Sequence, residues 1–241
     1  MSSHAPTATI ALPQTSPVPA WARTLARRPL QLTVDGQRLA GDLVIPARPE
    51  GLVLFVHGSG SSRFSRRNRA VATALQQNGL ATLLFDLLSP VEEAIDRRDG
   101  SLRFDLPLLS RRTLGVLQAL DEHPWLKELP IGLFGASTGA AAALQAAAGR
   151  PDRVQALVSR GGRPDLAGAM LTAVRCPVLL LVGENDPEVL ELNREAAHHL
   201  HCPHQLTVIP GASHLFEEAG ALEQVGGLAS SWFAAHLDRP A

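Results

Sequence analysis

Residues Gly135-Ala136-Ser137-Thr138-Gly139 form a G-x-S-x-G pentapeptide between a short apolar run, Pro130 to Phe134, and an alanine-rich stretch, Ala140 to Ala148. This order reads as strand, sharp turn, helix. Glycines two before and two after a serine let the backbone turn tightly enough to hold the hydroxyl strained and exposed. The helix that starts there aims its first N–H groups at the same spot, where they stabilise developing negative charge. As a bare pattern the five residues also fit an ordinary tight turn. With the strand and helix signals on either side, Ser137 is a candidate nucleophile.

The rest of the chain supplies a sheet for that turn. Leu30 to Val34 and Leu39 to Ile45, separated by Asp35-Gly36, read as an antiparallel hairpin. Leu52 to Val56, Leu80 to Phe85, Ile131 to Phe134, Val154 to Val158 and Val178 to Val182 are apolar runs of strand length, and Gln205 to Ile209 is a last strand. Helical segments are expected over Ser65 to Asn78, Asp105 to Glu122, Pro164 to Val174, Glu188 to Leu200 and Leu222 to Leu237. The expected class is α/β, an about eight-stranded, mostly parallel sheet with helices on both faces. Residues 1–29 show no sustained period and are expected to be a mobile or draped arm, with 30–241 as a single domain. Leu87 to Arg103, crowded with charge, shows no clear element, and both a lid and a solvated connector fit it.

Composition narrows the chemistry. A formal net charge of -1 and a pI near 6.8 give no general pull toward nucleic acid or anionic membrane. No window approaches the length of a membrane span. The N-terminus lacks a basic region followed by an apolar one, so a cytoplasmic location is expected. Cys176 and Cys202 have no metal-like spacing and read as free buried thiols. The histidines at 198, 199, 201 and 204 crowd a helix C-terminus, where cationic groups suit the dipole.

In parallel sheets, ligands bind at the carboxyl ends of the strands, so partners for Ser137 belong just past later strands. Asp186 follows the strand ending at Val182, and His214 follows the one ending at Ile209. A serine hydroxyl needs a base, for which histidine is suited, and the histidine needs a carboxylate to fix its tautomer. His214 and Asp186 are the candidates, with Glu184, Asn185 and Glu217 as rivals for the acid. The loop His57-Gly-Ser-Gly-Ser-Ser62 is expected to complete an oxyanion hole through the N–H of Ser59, beside that of Thr138. His57 reads as a loop brace, and Asp86 as a hydrogen-bonding support.

These residues, His57 to Gly60, Gly135 to Gly139, Asp186 and His214, resemble the α/β-hydrolase superfamily in its dienelactone hydrolase-like branch, over about residues 30 to 238. Dienelactone hydrolases proper carry cysteine at the elbow. Ser137 stands there in this chain, which points toward a serine esterase. The resemblance implies an α/β-hydrolase fold and cleavage of a small-molecule ester or lactone through an acyl-enzyme, with no metal or organic cofactor. An acyltransferase on the same scaffold and a non-catalytic binding module are the alternatives. Among the 21 arginines, Arg63 and Arg160 stand where they can face the cleft and bind an anionic substrate. For Arg63, and for Arg66, Arg67 and Arg69 beside it, a solvated helix face is the competing reading.

Overall fold

The computed structural model describes residues 8–11 and 26–238. Its first strand, β1 (Ala8–Ala11), lies within the stretch expected as a mobile or draped arm. It pairs antiparallel with β2 (Ala26–Val34), which itself begins four residues before the expected hairpin. The physical reason is length: four residues hold too few alternations to register as a period, and the edge of β2 supplies the hydrogen bonds. The remainder of the expected arm, 1–7 and 12–25, lies outside the described residues. β2 pairs with β3 (Gln37–Ile45) through Asp35-Gly36, whose φ angles of 50° and 73° make the tight turn.

β4 (Gly51–Val56) is buried along its whole length. Leu52, Leu54 and Val56 face one layer of core while Val53 and Phe55 face the other, the alternation required of a strand covered on both sides. After it comes α1 (Arg66–Gln77), capped by Ser65, whose hydroxyl accepts from Asn68 N–H, and stopped at Gly79 with φ of 80°. β5 (Leu80–Phe85) follows, again wholly buried.

The segment between β5 and the next expected helix contains α2 (Pro90–Asp99), which the charge-rich sequence had hidden. Ser89 and Glu92 form a reciprocal capping box, Pro90 opens the first turn, and Gly100 in the left-handed region closes the last. Then come α3 (Leu106–Glu122), β6 (Ile131–Ala136), α4 (Thr138–Gly149), β7 (Val154–Arg160), β8 (Val178–Gly183), α5 (Pro187–His199), β9 (His204–Ile209) and α6 (Ala221–His236). Between β7 and β8, Pro164–Ala173 is a 3-10 segment kinked at Gly168.

The nine strands form one sheet in the order β1-β2-β3-β5-β4-β6-β7-β8-β9. From β5 to β9 every neighbouring pair is parallel, and β3 joins β5 antiparallel. α3 and α4 cover one face, while α1 and α6 cover the other. Phe55 and Phe134 stack across β4 and β6 with ring centroids 4.8 Å apart. Truncating either to alanine would cost about 3–5 kcal/mol. This rigid centre ends at Val56 and Ala136, so the loops that follow leave the sheet at one rim. Cys176 and Cys202 are free and buried near the opposite rim, and burial pushes the Cys176 thiol up to about 12.

Candidate active site

The turn at Ser137 is as tight as its glycines imply. Ser137 has φ 51° and ψ -127°, a region that non-glycine residues rarely occupy. A β-carbon on Gly135 would stand 2.5 Å from Ala140 Cα. One on Gly139 would stand 2.7 Å from the carbonyl carbon of His57, and closer still to the oxygens of Val56 and His57. The strain is held by hydrogen bonds: Ser137 N–H donates to Arg160 O at 3.2 Å, and Ser137 O accepts from Ala140 N–H and Arg163 N–H. Thr138 opens α4, so its N–H has no acceptor within the helix.

Two other loops leave the same rim of the sheet after β8 and β9. His214 Nδ1 donates to Asp186 Oδ2 at 2.6 Å, and in the neutral ring this tautomer leaves Nε2 able to accept a proton. Of the rival acids, Glu184 accepts from Gly211 N–H, Asn185 donates to Gly211 O, and Glu217 pairs with Arg67. Glu184 and Asn185 thus tie the Asp186 loop to the His214 loop, while the Asp186 carboxylate alone among the four holds the imidazole. His214 Cε1 lies 3.6 Å from where a β-carbon on Gly161 would sit, and Gly161 follows the residue whose carbonyl holds Ser137. No hydrogen bond joins the Ser137 hydroxyl to the imidazole in this structure; such bonds often tighten only when substrate arrives.

The loop after β4 passes beside the serine, with Gly58 placed so that a β-carbon would stand 3.0 Å from Ser137 Cβ. His57 is buried, and burial lowers its pKa. Its Nε2 accepts from Leu87 N–H at 3.1 Å, so the ring proton sits on Nδ1, which donates to Gly58 O at 3.0 Å. It braces the loop, as expected. The N–H of Ser59, expected to face an oxyanion, instead donates to Thr138 Oγ1 at 2.9 Å. Behind this loop a cavity of about 260 Å³ is bounded by Asp86, Leu88, Glu93, Arg97, Arg103 and Leu109. Ser137 and His214 lie outside its lining, and Gly58 borders both places.

The two candidate arginines differ sharply. Arg63 forms an ion pair with Asp86, lies 3.7 Å from Asp42, and packs over Phe64. Its charge is already matched, so the structure gives it a bracing place rather than a free one. Arg160, at the end of β7, is 7% exposed. Its Nε and Nη1 have no hydrogen-bond partner, and its guanidinium lies over the Phe216 ring, 5.8 Å from the centroid. Burial, aided by the charge of Arg67, lowers its pKa to about 10, so it remains a cation at neutral pH. Among the described residues no group of three or more His, Cys, Asp or Glu is placed to hold a metal ion, and no helix is long and apolar enough to cross a membrane.

α2 is anchored at both ends. Arg112, 3% exposed, donates to Glu92 Oε1 at 2.6 Å and to Val34 O at 2.7 Å. Asp96, also 3% exposed, accepts from the N–H groups of Leu102 and Arg103 and from Arg103 Nε. Its outward side leaves Val91 and Ile95 exposed.

A sequence model of the dienelactone hydrolase family matches residues 40–229. The solved structure of a dienelactone hydrolase from Anabaena variabilis is 52% identical, with a TM-score of 0.87 over 89% of this chain and 99% of that one. Est1E from Butyrivibrio proteoclasticus shares the fold, with a TM-score of 0.70 over 88% of this chain and 98% of that one at 18% identity. A protein of Mycobacterium tuberculosis strain H37Rv, named provisionally as a phosphoribosyl transferase, is 54% identical over 88% of this chain. The chain spans 47% of that relative's length.

Proposed function

Because the chain belongs to the dienelactone hydrolase family, we propose that it is a serine hydrolase that cleaves a small-molecule ester or lactone through an acyl-enzyme. The observation that carries this reading is the 2.6 Å bond from His214 Nδ1 to Asp186 Oδ2 at the rim where Ser137 is held in a strained turn. Ser137 Oγ attacks the carbonyl carbon and its proton passes to His214 Nε2. The Asp186 carboxylate stabilises the imidazolium that results. Negative charge on the former carbonyl oxygen is met by the N–H of Thr138 and, once it is released from the Thr138 hydroxyl, that of Ser59. His214 returns the proton to the departing alkoxide. Water then repeats the sequence on the acyl-enzyme and frees Ser137.

The unmatched cation at Arg160 supports a substrate that carries a carboxylate or another anion. A buried guanidinium without a counterion is costly, and a bound anion would relieve that cost at the rim where the acyl group sits. The phosphoribosyl transfer in the name of the mycobacterial relative forms no part of this reading, since that protein extends well beyond the matched region. The test is hydrolysis of a panel of p-nitrophenyl esters and lactones by the wild type beside Ser137→Ala. Turnover that survives in Ser137→Ala would end the proposal.

A further inference from the structure

Three hydrogen bonds around Ser59 fix every proton in a small ring. Ser59 Oγ lies 2.8 Å from Arg103 O, and a carbonyl only accepts, so the Ser59 hydroxyl proton points there. The Ser59 and Thr138 hydroxyl oxygens are 2.8 Å apart, and with Ser59 already donating elsewhere, the Thr138 hydroxyl must donate to Ser59 Oγ. Thr138 Oγ1 in turn accepts the Ser59 N–H at 2.9 Å. Ser59 and Thr138 therefore hold each other in both directions. Arg103, whose carbonyl completes the ring, is fixed by Asp96 through its N–H at 2.8 Å and its Nε at 2.9 Å. The chain of contacts runs from α2 to the backbone donor beside the elbow.

We propose that Thr138 is a positioning residue whose hydroxyl latches the oxyanion site shut in the empty enzyme. The inference rests on the reading of Ser137 as nucleophile and of the Ser59 N–H as one of two oxyanion donors. A single N–H cannot serve Thr138 Oγ1 and an oxyanion at full strength. Substrate must turn the Thr138 side chain away, breaking its two bonds to Ser59. The Thr138 N–H stays in place throughout, because it belongs to the backbone of α4. The latch lowers the reactivity of the unoccupied site and ties its opening to the segment anchored at Asp96.

The experiment measures the second-order rate at which a fluorophosphonate labels the protein. In that step the Ser137 Oγ–P bond forms, the P–F bond breaks, fluoride leaves, and the hydroxyl proton passes to His214. The product places a phosphoryl oxygen where the oxyanion would be. Thr138→Ala keeps the N–H and removes the hydroxyl, and it is expected to label about three- to tenfold faster, the effect of losing one or two hydrogen bonds of ordinary net strength. Thr138→Ser keeps the hydroxyl and should label more slowly than Thr138→Ala. Ser59→Ala keeps its own N–H but removes the acceptor of the Thr138 hydroxyl; it should also be faster, and combining it with Thr138→Ala should add nothing beyond Thr138→Ala alone. A change that merely loosened the structure would not raise the rate. Labelling of Thr138→Ala at or below the wild-type rate overturns the latch and leaves the nucleophile standing, with the hydroxyl then a bystander or a third donor. If Thr138→Ala does not fold, a Ser59→Ala rate no higher than wild type has the same force. Absence of labelling in the wild type itself would remove the nucleophile, and the latch with it.

Discussion

A β-carbon on Gly183 would stand 2.7 Å from the carbonyl oxygen of Ser213, and closer still to that of Ala212. The loop carrying Asp186 and the loop carrying His214 thus meet where only a hydrogen atom fits. Gly183→Ala must push them apart at a point one residue from His214. Positional errors of about 1 Å at a catalytic group can cost roughly a hundredfold. We expect kcat to fall by at least tenfold while KM changes little, since this contact touches no substrate. Steady-state kinetics on a p-nitrophenyl ester decide it, and a kcat within twofold of wild type would refute the argument.

Asp186 and its neighbours can be separated by charge removal. Asp186→Asn keeps the shape but leaves an amide that can favour the wrong imidazole tautomer, and comparable changes in serine hydrolases cost about 10⁴-fold in kcat. Glu184→Gln alters only the bond from Gly211 N–H, so its effect should stay below about tenfold. A larger loss for Glu184→Gln than for Asp186→Asn would reassign the acid.

The strands β4 to β8 were legible because burial on both faces demands unbroken apolar runs, and Leu52 to Val56 or Val178 to Val182 admits little else. The tight turn was legible because two glycines are sterically required around Ser137, and the pairing of Asp186 with His214 because both follow neighbouring strands of the parallel sheet. β1 was not, since Ala8–Ala11 takes its order from the edge of β2. α2 carried a readable start signal in Ser89-Pro90-Val91-Glu92, but its few apolar residues face outward while Glu92 and Asp96 turn inward, the reverse of an ordinary amphipathic stripe. The capture of the Ser59 N–H by Thr138 depends on a side-chain rotamer, which no spacing encodes. Arg63 and Arg160 both end up beside the rim, but Asp86 and Asp42 stand against the first while the second is buried with no carboxylate paired to it.

Arg160 gives a prediction about stability as well as specificity. Its folded pKa is lowered, so folding penalises the charged form; the penalty is present in full below about pH 10 and fades only as pH rises toward the ordinary arginine value. At pH 7 the neutral replacement Arg160→Met should therefore be more stable, by about 1–3 kcal/mol. It should also lose at least tenfold in kcat/KM on carboxylate-bearing esters while keeping its activity on neutral ones. Adding a small dicarboxylate should raise the Tm of the wild type and leave that of Arg160→Met unchanged. Equal losses on both ester classes would remove the anion from the substrate.

His57 sets part of the acid limb. Burial lowers its folded pKa below the ordinary value near 6.5, so the unfolded chain takes up a proton first as pH falls. Its contribution to stability is constant above about pH 6.5 and declines below it until the folded value is passed. His123, half-buried, acts in the same direction. His57→Asn should lower the Tm at pH 7.5, through loss of the bond from Leu87 N–H, and flatten the fall in Tm between pH 7 and pH 5. An unchanged slope would place the acid sensitivity elsewhere.

Glu92 holds α2 in two ways, since Oε2 accepts from Ser89 N–H at 2.7 Å and Oε1 from Arg112 at 2.6 Å. Glu92→Ala removes half of the capping box and leaves the buried guanidinium of Arg112 with Val34 O and only a distant carboxylate, that of Asp35 at 3.9 Å. Breaking one side of a buried pair costs about 3–5 kcal/mol, whereas Val91→Ser, on the exposed side of the same helix, should leave stability within about 0.5 kcal/mol. Urea denaturation of both variants measures the difference. If the segment also governs the Ser59 and Thr138 ring through Arg103, Glu92→Ala should speed fluorophosphonate labelling under conditions where it remains folded. A destabilised variant with an unaltered labelling rate would make α2 a structural cover with no hold on the elbow.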